Sequence, residues 1–125
     1  PAVAGFTVWK SDTDGLDLPI ALENWQVLGK ADVLWLEWDI ALTRGGESLS
    51  EQLCEQLRCE GWSCVVFDCY GRLMTLVPPD ELHVLADLAR WTESVRGGLL
   101  PSVNYLDVWA CRDPGVARLV ADSSR

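Results

Sequence analysis

Apolar residues recur at helical spacing in Leu49, Leu53 and Leu57, with Cys54 beside them, until Gly61 interrupts the stripe. The pattern predicts a helix. Ser48 and Glu51 ahead of it have the S-x-x-E spacing of a capping box, and Gly61 has the conformational freedom that a helix C-terminus favours. Residues 62–68 are then β-branched and aromatic, 69–72 with Gly71 read as a tight turn, and 73–77 return as a second strand. The longest period-two run is 32–43, with Leu34, Leu36, Trp38, Ile40 and Leu42 on one face and Val33, Trp35, Glu37, Asp39 and Ala41 on the other. Pro78-Pro79-Asp80-Glu81 predicts a helix entry, and Leu82, Leu85, Leu88, Ala89, Thr92 and Val95 give that helix an inner stripe up to Gly97-Gly98. After the connector 99–101, residues 102–111 alternate Leu106, Val108 and Ala110 against Tyr105, Asp107 and Trp109. Asp113-Pro114 opens a short terminal helix carrying Val116, Leu119 and Val120, with a frayed tail from Asp122.

The amino-terminal thirty residues are less regular. Residues 2–10 read as an edge or capping strand with Phe6 and Val8 on one side, and Ser11-Asp12-Thr13-Asp14-Gly15 as a polar turn. The stretch 18–29 is too short and mixed to assign, although Pro19 suits a single helical turn that places Ile20, Leu22 and Trp25 against the core.

The order strand, helix, strand, strand, helix, strand predicts an α+β domain of the ferredoxin-like split βαβ type. Its antiparallel sheet would place the first core strand between the third and fourth, with both helices on one face. The chain reads as one domain over 1–125, with an N-terminal extension (1–31), a core (32–111) and a short terminal helix and tail (112–125). Trp35, Glu37 and Asp39 then lie beside Tyr105, Asp107 and Trp109 on the face away from the helices. Two outcomes are open for that aromatic and acidic patch: residues 1–31 fold over it, or it is left as a recognition surface.

Charge narrows the choice of partner. Among 125 residues there are 19 Asp and Glu against 10 Lys and Arg, a formal net charge of -9, which disfavours nucleic acid and anionic membranes and favours a basic protein. Seven tryptophans are an unusual number, and Trp is enriched where apolar contact meets hydrogen bonding. Five cysteines, an odd number in an apolar chain, predict reduced thiols and a cytoplasmic location. No apolar run approaches the roughly 20 residues of a spanning helix, and Pro1 is consistent with removal of an initiator Met.

Candidate chemistry is thin. The Asp12-Thr13-Asp14-Gly15 run has the start of a calcium loop but lacks its third acid and terminal Glu at the required offsets. Cys54, Cys59, Cys64 and Cys69 repeat every fifth residue, a spacing that matches no zinc or iron–sulfur pattern and spreads the thiols over helix, strand and turn. His83, the one histidine, lies between Glu81 and Asp87 on a solvated helix face. An amino-terminal proline is the catalytic base of the tautomerases, yet their basic active-site residues have no counterpart near Pro1. The expectation is therefore no catalytic residues, no metal and no cofactor.

The element order also resembles that of the regulator of ribonuclease activity B family. The S-x-x-E helix closing on Gly61-Trp62, the short hairpin, the helix from Pro79 to Gly97-Gly98, and a last strand with Tyr105, Asp107 and Trp109 carry the likeness over about two thirds of the chain. The sequence departs from the family's Tyr-Asp-Gly-Trp pattern, because Leu106 separates Tyr105 from Asp107 and Val108 stands where the glycine would be. That family comprises small acidic proteins that bind and inhibit ribonuclease E, so the resemblance implies stoichiometric inhibition of a nuclease without catalysis. The same chemistry suits an immunity protein against a basic toxin. A small enzyme on a ferredoxin-like frame and a structural homo-oligomer subunit are the competing readings.

Overall fold

The computed structural model, which describes residues 5–96, 98 and 102–125, is an α+β chain built on one mixed sheet. In chain order its elements are β1 (Val8–Lys10), α1 (Asp17–Glu23), α2 (Trp25–Leu28), β2 (Val33–Trp38), α3 (Gly46–Cys59), β3 (Ser63–Asp68), β4 (Leu73–Val77), a 3-10 turn over Pro79–Glu81, α4 (His83–Val95), β5 (Leu106–Cys111) and α5 (Pro114–Ser123).

The strands lie in the order β1-β2-β5-β3-β4, with β1 parallel to β2 and every other pair antiparallel. This corrects the ferredoxin-like expectation. The gap between parallel β2 and β3 is filled by the last strand, not by β4. Burial gives the reason: β5 alternates buried and half-buried positions that suit a strand packed on both sides, whereas Leu73 to Leu76 of β4 are all half-buried and suit an edge. The expected adjacency of β2 and β5 survives the change of order.

Leu34, Leu36 and Trp38 of β2, Val108 of β5 and Val66 of β3 share the larger core with Leu53 and Leu57 of α3 and Leu85 and Ala89 of α4. The Trp38 indole donates to Ser50 Oγ of α3 at 2.8 Å, which pins that helix to the sheet through a satisfied buried polar pair. On the other face Val33, Val65, Phe67 and Cys111 pack with Ala117 and Ala121 of α5, so the terminal helix covers one end of the sheet that the sequence pattern leaves bare.

Helix α3 begins differently from the predicted capping box. Its N-cap is Gly45 at φ 66°, with no side-chain cap, and Ser48 lies within the first turn, where its hydroxyl accepts from Gln52. Gly46 is there because nothing larger fits: a Cβ would lie 2.7 Å from Ile40 Cα and closer still to the Ile40 carbonyl oxygen. The C-terminus follows prediction. Gly61, at φ 76°, donates to Arg58 O, and Trp62 donates to Leu57 O while packing beside Leu57 in the core, the paired bonds of a Schellman motif.

Strand β2 is shorter than the period-two run. The Asp39 carboxylate accepts from the backbone of Ala41 and Leu42 at 3.1 Å, which turns the chain and leaves Leu42 56% exposed, though Ile40 is still buried. The unassigned stretch forms α1 and α2, with Leu18 and Ala21 fully buried against the helix layer. Helix α5 starts at Asp113-Pro114 as expected, with the Asp113 carboxylate accepting from Gly115 N–H. Gly97, the 99–101 connector and residues 1–4, including Pro1, lie outside the described residues.

Two substitutions check this arrangement. Gly46→Ala should destabilise by about 1–3 kcal/mol in denaturant titration despite the better helix propensity of Ala, because the collision is with backbone; a stabilised variant would contradict the tight turn. Leu36→Asp should cost several kcal/mol while Glu37→Lys, one position along, costs little. Equal losses would mean that the strand faces are assigned wrongly.

Candidate binding face

Two cross-strand rows run along the sheet face opposite α3 and α4, and α5 packs against their β3 end. One runs Lys10, Trp35, Trp109 and Val65 across β1, β2, β5 and β3, and the next runs Glu37, Asp107 and Phe67. The Trp35 and Trp109 rings lie 4.7 Å apart between centroids, with an interplanar angle of 33°, and Lys10 Nζ sits 4.2 Å from the Trp35 ring centroid. An aromatic pair of this kind contributes about 0.5–1.5 kcal/mol, which offsets the like-charge pairing of Glu37 opposite Asp107 in the adjacent row. Trp35, Glu37, Tyr105, Asp107 and Trp109 are each half-buried, so the face is open to solvent but firmly seated.

From Gly5 onward the N-terminal segment frames this face along its β2 edge. Strand β1 ends at Lys10, and beyond it the buried Asp17 carboxylate takes over its role at the sheet edge, accepting from Glu37 N–H at 2.8 Å. The same carboxylate accepts from the Thr13 N–H at 3.1 Å and from the Thr13 hydroxyl, which holds the 11–15 turn against β2. Asp14 at φ 49° and Gly15 at φ 103° give that turn its left-handed bend. The consequence is electrostatic: carboxylate oxygens of Asp12, Asp14 and Glu37 come within 4.8 Å of one another. Sequence spacing placed Asp12 and Asp14 in a calcium-like run. It could not supply Glu37, which is brought in from a strand 23 residues on.

Crowding of acids is felt by the protons. Burial and then the Asp17, Asp12, Asp14 and Asp107 charges raise the Glu37 pKa from 4.5 to about 7. Burial, with Asp12, Asp17 and Asp68 acting against the opposing Lys10 charge, raises that of Asp107 as well. The Tyr105 hydroxyl is raised by burial and by Asp107 and Glu37.

Of the six residues expected to form a partner surface, five are brought together and Asp39 is not. Only 2% exposed, Asp39 ends β2 and pairs with Arg96 at 2.9 Å, so it is a structural acid of the turn. Phe67 was missed: together with Gly71 it joins Trp35, Asp107 and Trp109 around a slot of about 200 Å³. Its place in a β-branched strand gave no signal beyond that of a core residue.

The remaining candidates lie apart. The cysteines are free thiols, with Cys54, Cys64 and Cys111 buried, Cys69 half-buried and Cys59 exposed. His83 borders a groove between α3 and α4 of about 290 Å³. Its acids and arginines pair with one another, Arg90 with Glu51 and Asp87 and Arg58 with Glu55, and burial pushes the Cys54 thiol up to about 12, far from a thiolate at neutral pH. Among the described residues no helix is long and apolar enough to cross a membrane. No protein-family model, characterised protein or solved structure matches the chain.

The Glu37 shift has a sign that denaturation can read. The folded protein keeps Glu37 protonated up to about pH 7 while the unfolded chain ionises near pH 4.5, so the folded state binds more protons in that window and stability falls as pH rises through it. Glu37→Gln removes the fall. Because the side chain is partly solvated, the variant should gain about 1 kcal/mol over the parent at pH 8 and little at pH 5. A gap independent of pH would show that Glu37 titrates normally.

Proposed function

We propose that this chain is an acidic, non-catalytic binding protein that docks a basic protein, a nuclease or basic toxin, on the open sheet face. The observation that carries this reading is the placement of Trp35 and Trp109 beside Glu37 and Asp107, extended at the edge by Asp12 and Asp14. Aromatic anchors flanked by carboxylates suit a surface rich in Lys and Arg: the anchors hold the complex, and the charges speed and orient encounter. The excess of acids over the whole chain works in the same direction at longer range. Inhibition would then follow from occupying a site that a nucleic-acid backbone otherwise fills, one inhibitor per enzyme. This is the mode implied by the likeness to the regulator of ribonuclease activity B family, a likeness that rests on element types and on the Tyr105, Asp107 and Trp109 row.

An enzymatic reading finds less support. The acids and arginines of the groove at His83 are mutually paired, so no general acid and base converge there with a nucleophile.

Binding to purified ribonuclease E and to a small basic ribonuclease, measured at low and high salt with nuclease activity followed in parallel, tests the proposal. Tight, salt-sensitive association with loss of nuclease activity at stoichiometric ratio is expected. Asp107→Lys and Glu37→Lys should slow association and flatten its salt dependence, while Trp109→Ala should speed dissociation about tenfold or more. Glu93→Lys, an equal change of charge on the exposed side of α4, is the control. Equal weakening by Glu93→Lys would mean that bulk charge alone is read, and a dimer that buries this face at every concentration would replace a heterologous partner with a second copy of the chain.

A further inference from the structure

The slot between the two rows has a more specific chemistry than the face around it. Trp35, Phe67 and Trp109 supply aromatic walls, Asp107 supplies one carboxylate, and Gly71 leaves a side without a side chain. At about 200 Å³ the slot is below the size of ordinary metabolite pockets and matches the head of one side chain. The Trp pair already takes a cation from its own chain, since the Lys10 ammonium lies over Trp35 at the β1 edge of the same row. An aromatic face next to a single carboxylate suits a guanidinium better than an ammonium. The planar ion stacks on the ring, presents a two-pronged donor fork to the carboxylate, and is the more weakly hydrated of the two.

We propose that the Trp35, Phe67, Asp107 and Trp109 slot receives the guanidinium of one arginine from a partner, and that Lys10 is its intramolecular competitor. This rests on the reading of the open face as a protein-binding surface and deepens it. Lys10 shields Trp35 from solvent and lends positive charge to the neighbourhood of Asp107 in the free protein. An incoming arginine pairs with the Asp107 carboxylate, shares the Trp35 surface with Lys10 and repels it toward the edge, so affinity for the partner is set by the difference between two cations. Asp107 is the charged residue of the slot's lining, and the charges that act on it are Lys10, Asp12, Asp17 and Asp68.

The test is a titration of the whole protein with N-acetyl-arginine methylamide at constant ionic strength, read from the indole N–H signals of Trp35 and Trp109 by NMR. The neutral citrulline analogue serves as the isostere without charge, and the lysine analogue as the ammonium. Saturable shifts confined to these two indoles, with Trp91 on α4 unmoved, are expected for the arginine probe, with weaker response to lysine and none to citrulline. Lys10→Met should tighten arginine binding at least threefold, and Asp107→Asn should weaken it at least fivefold. Absence of saturation, or an equal response to citrulline, overturns the guanidinium site; an unchanged affinity in Lys10→Met overturns the competition. Basic ribonuclease binding in the same samples separates this inference from the one it rests on. Salt-sensitive ribonuclease binding without an indole response defeats the slot and spares the docking face, whereas arginine saturation with no ribonuclease bound does the reverse.

Discussion

The ladder between β2 and β5 is the constraint on which the rest of the molecule depends. It runs from Val33 opposite Cys111 to Trp38 opposite Leu106, and its period-two alternation sorts every side chain of both strands at once. Leu34, Leu36 and Trp38 meet Leu106, Val108 and Ala110 over the helices, while Trp35 and Glu37 meet Trp109 and Asp107 on the far side. A slip of β2 by one residue would turn Trp35 and Glu37 into the larger core and Leu34, Leu36 and Trp38 out of it, a cost of several kcal/mol for the buried carboxylate alone. The register that builds the core is thus the register that sets Trp35, Glu37, Asp107 and Trp109 together on the other face.

Acids are kept on that face at a cost that neighbouring elements limit. Glu37 and Asp107 oppose each other, and Asp12 and Asp14 come close, yet the turn that brings them is held by the buried Asp17 carboxylate and its bonds to Thr13 and Glu37 N–H. Protonation of Glu37 near neutrality relieves part of the repulsion. A basic partner would relieve it further, and that gain would appear as binding free energy. Apolar covering by α5 reaches the β3 end of these rows, so the terminal helix buries Val65 and Phe67 while Trp35 and Trp109 stay half-buried.

Much of the local structure was legible because it is written in short range. Gly61 after the Leu49, Leu53, Leu57 stripe and the turn around Gly71 are each set by a few adjacent residues and appear where the pattern puts them. The two faces of β2 were legible for the same reason. The strand order was not, since choosing between β4 and β5 for the central gap depends on which strand gains a hydrogen-bonded neighbour at each edge once all helices are in place. The apparent capping box at Ser48 was overridden by a turn one step earlier, where Gly45 adopts a left-handed conformation and Gly46 presses on Ile40. Asp39 looked like a surface acid by alternation but sits past the end of its strand, where Ala41, Leu42 and Arg96 claim its carboxylate. The third carboxylate of the acidic cluster and the Phe67 wall of the slot arise only from tertiary pairing, across separations that no local spacing encodes.

The central claim is that the face bearing Trp35 and Trp109 is the one a partner covers. Hydroxyl-radical footprinting in the presence and absence of a bound basic nuclease tests it most directly, because the seven tryptophans report from both sides of the sheet. Oxidation of Trp35 and Trp109 should fall on complex formation, while Trp91, 44% exposed on the helix side, should be oxidised at an unchanged rate. Protection of Trp91 with Trp35 and Trp109 unaffected would contradict the account and move the binding surface to the helices.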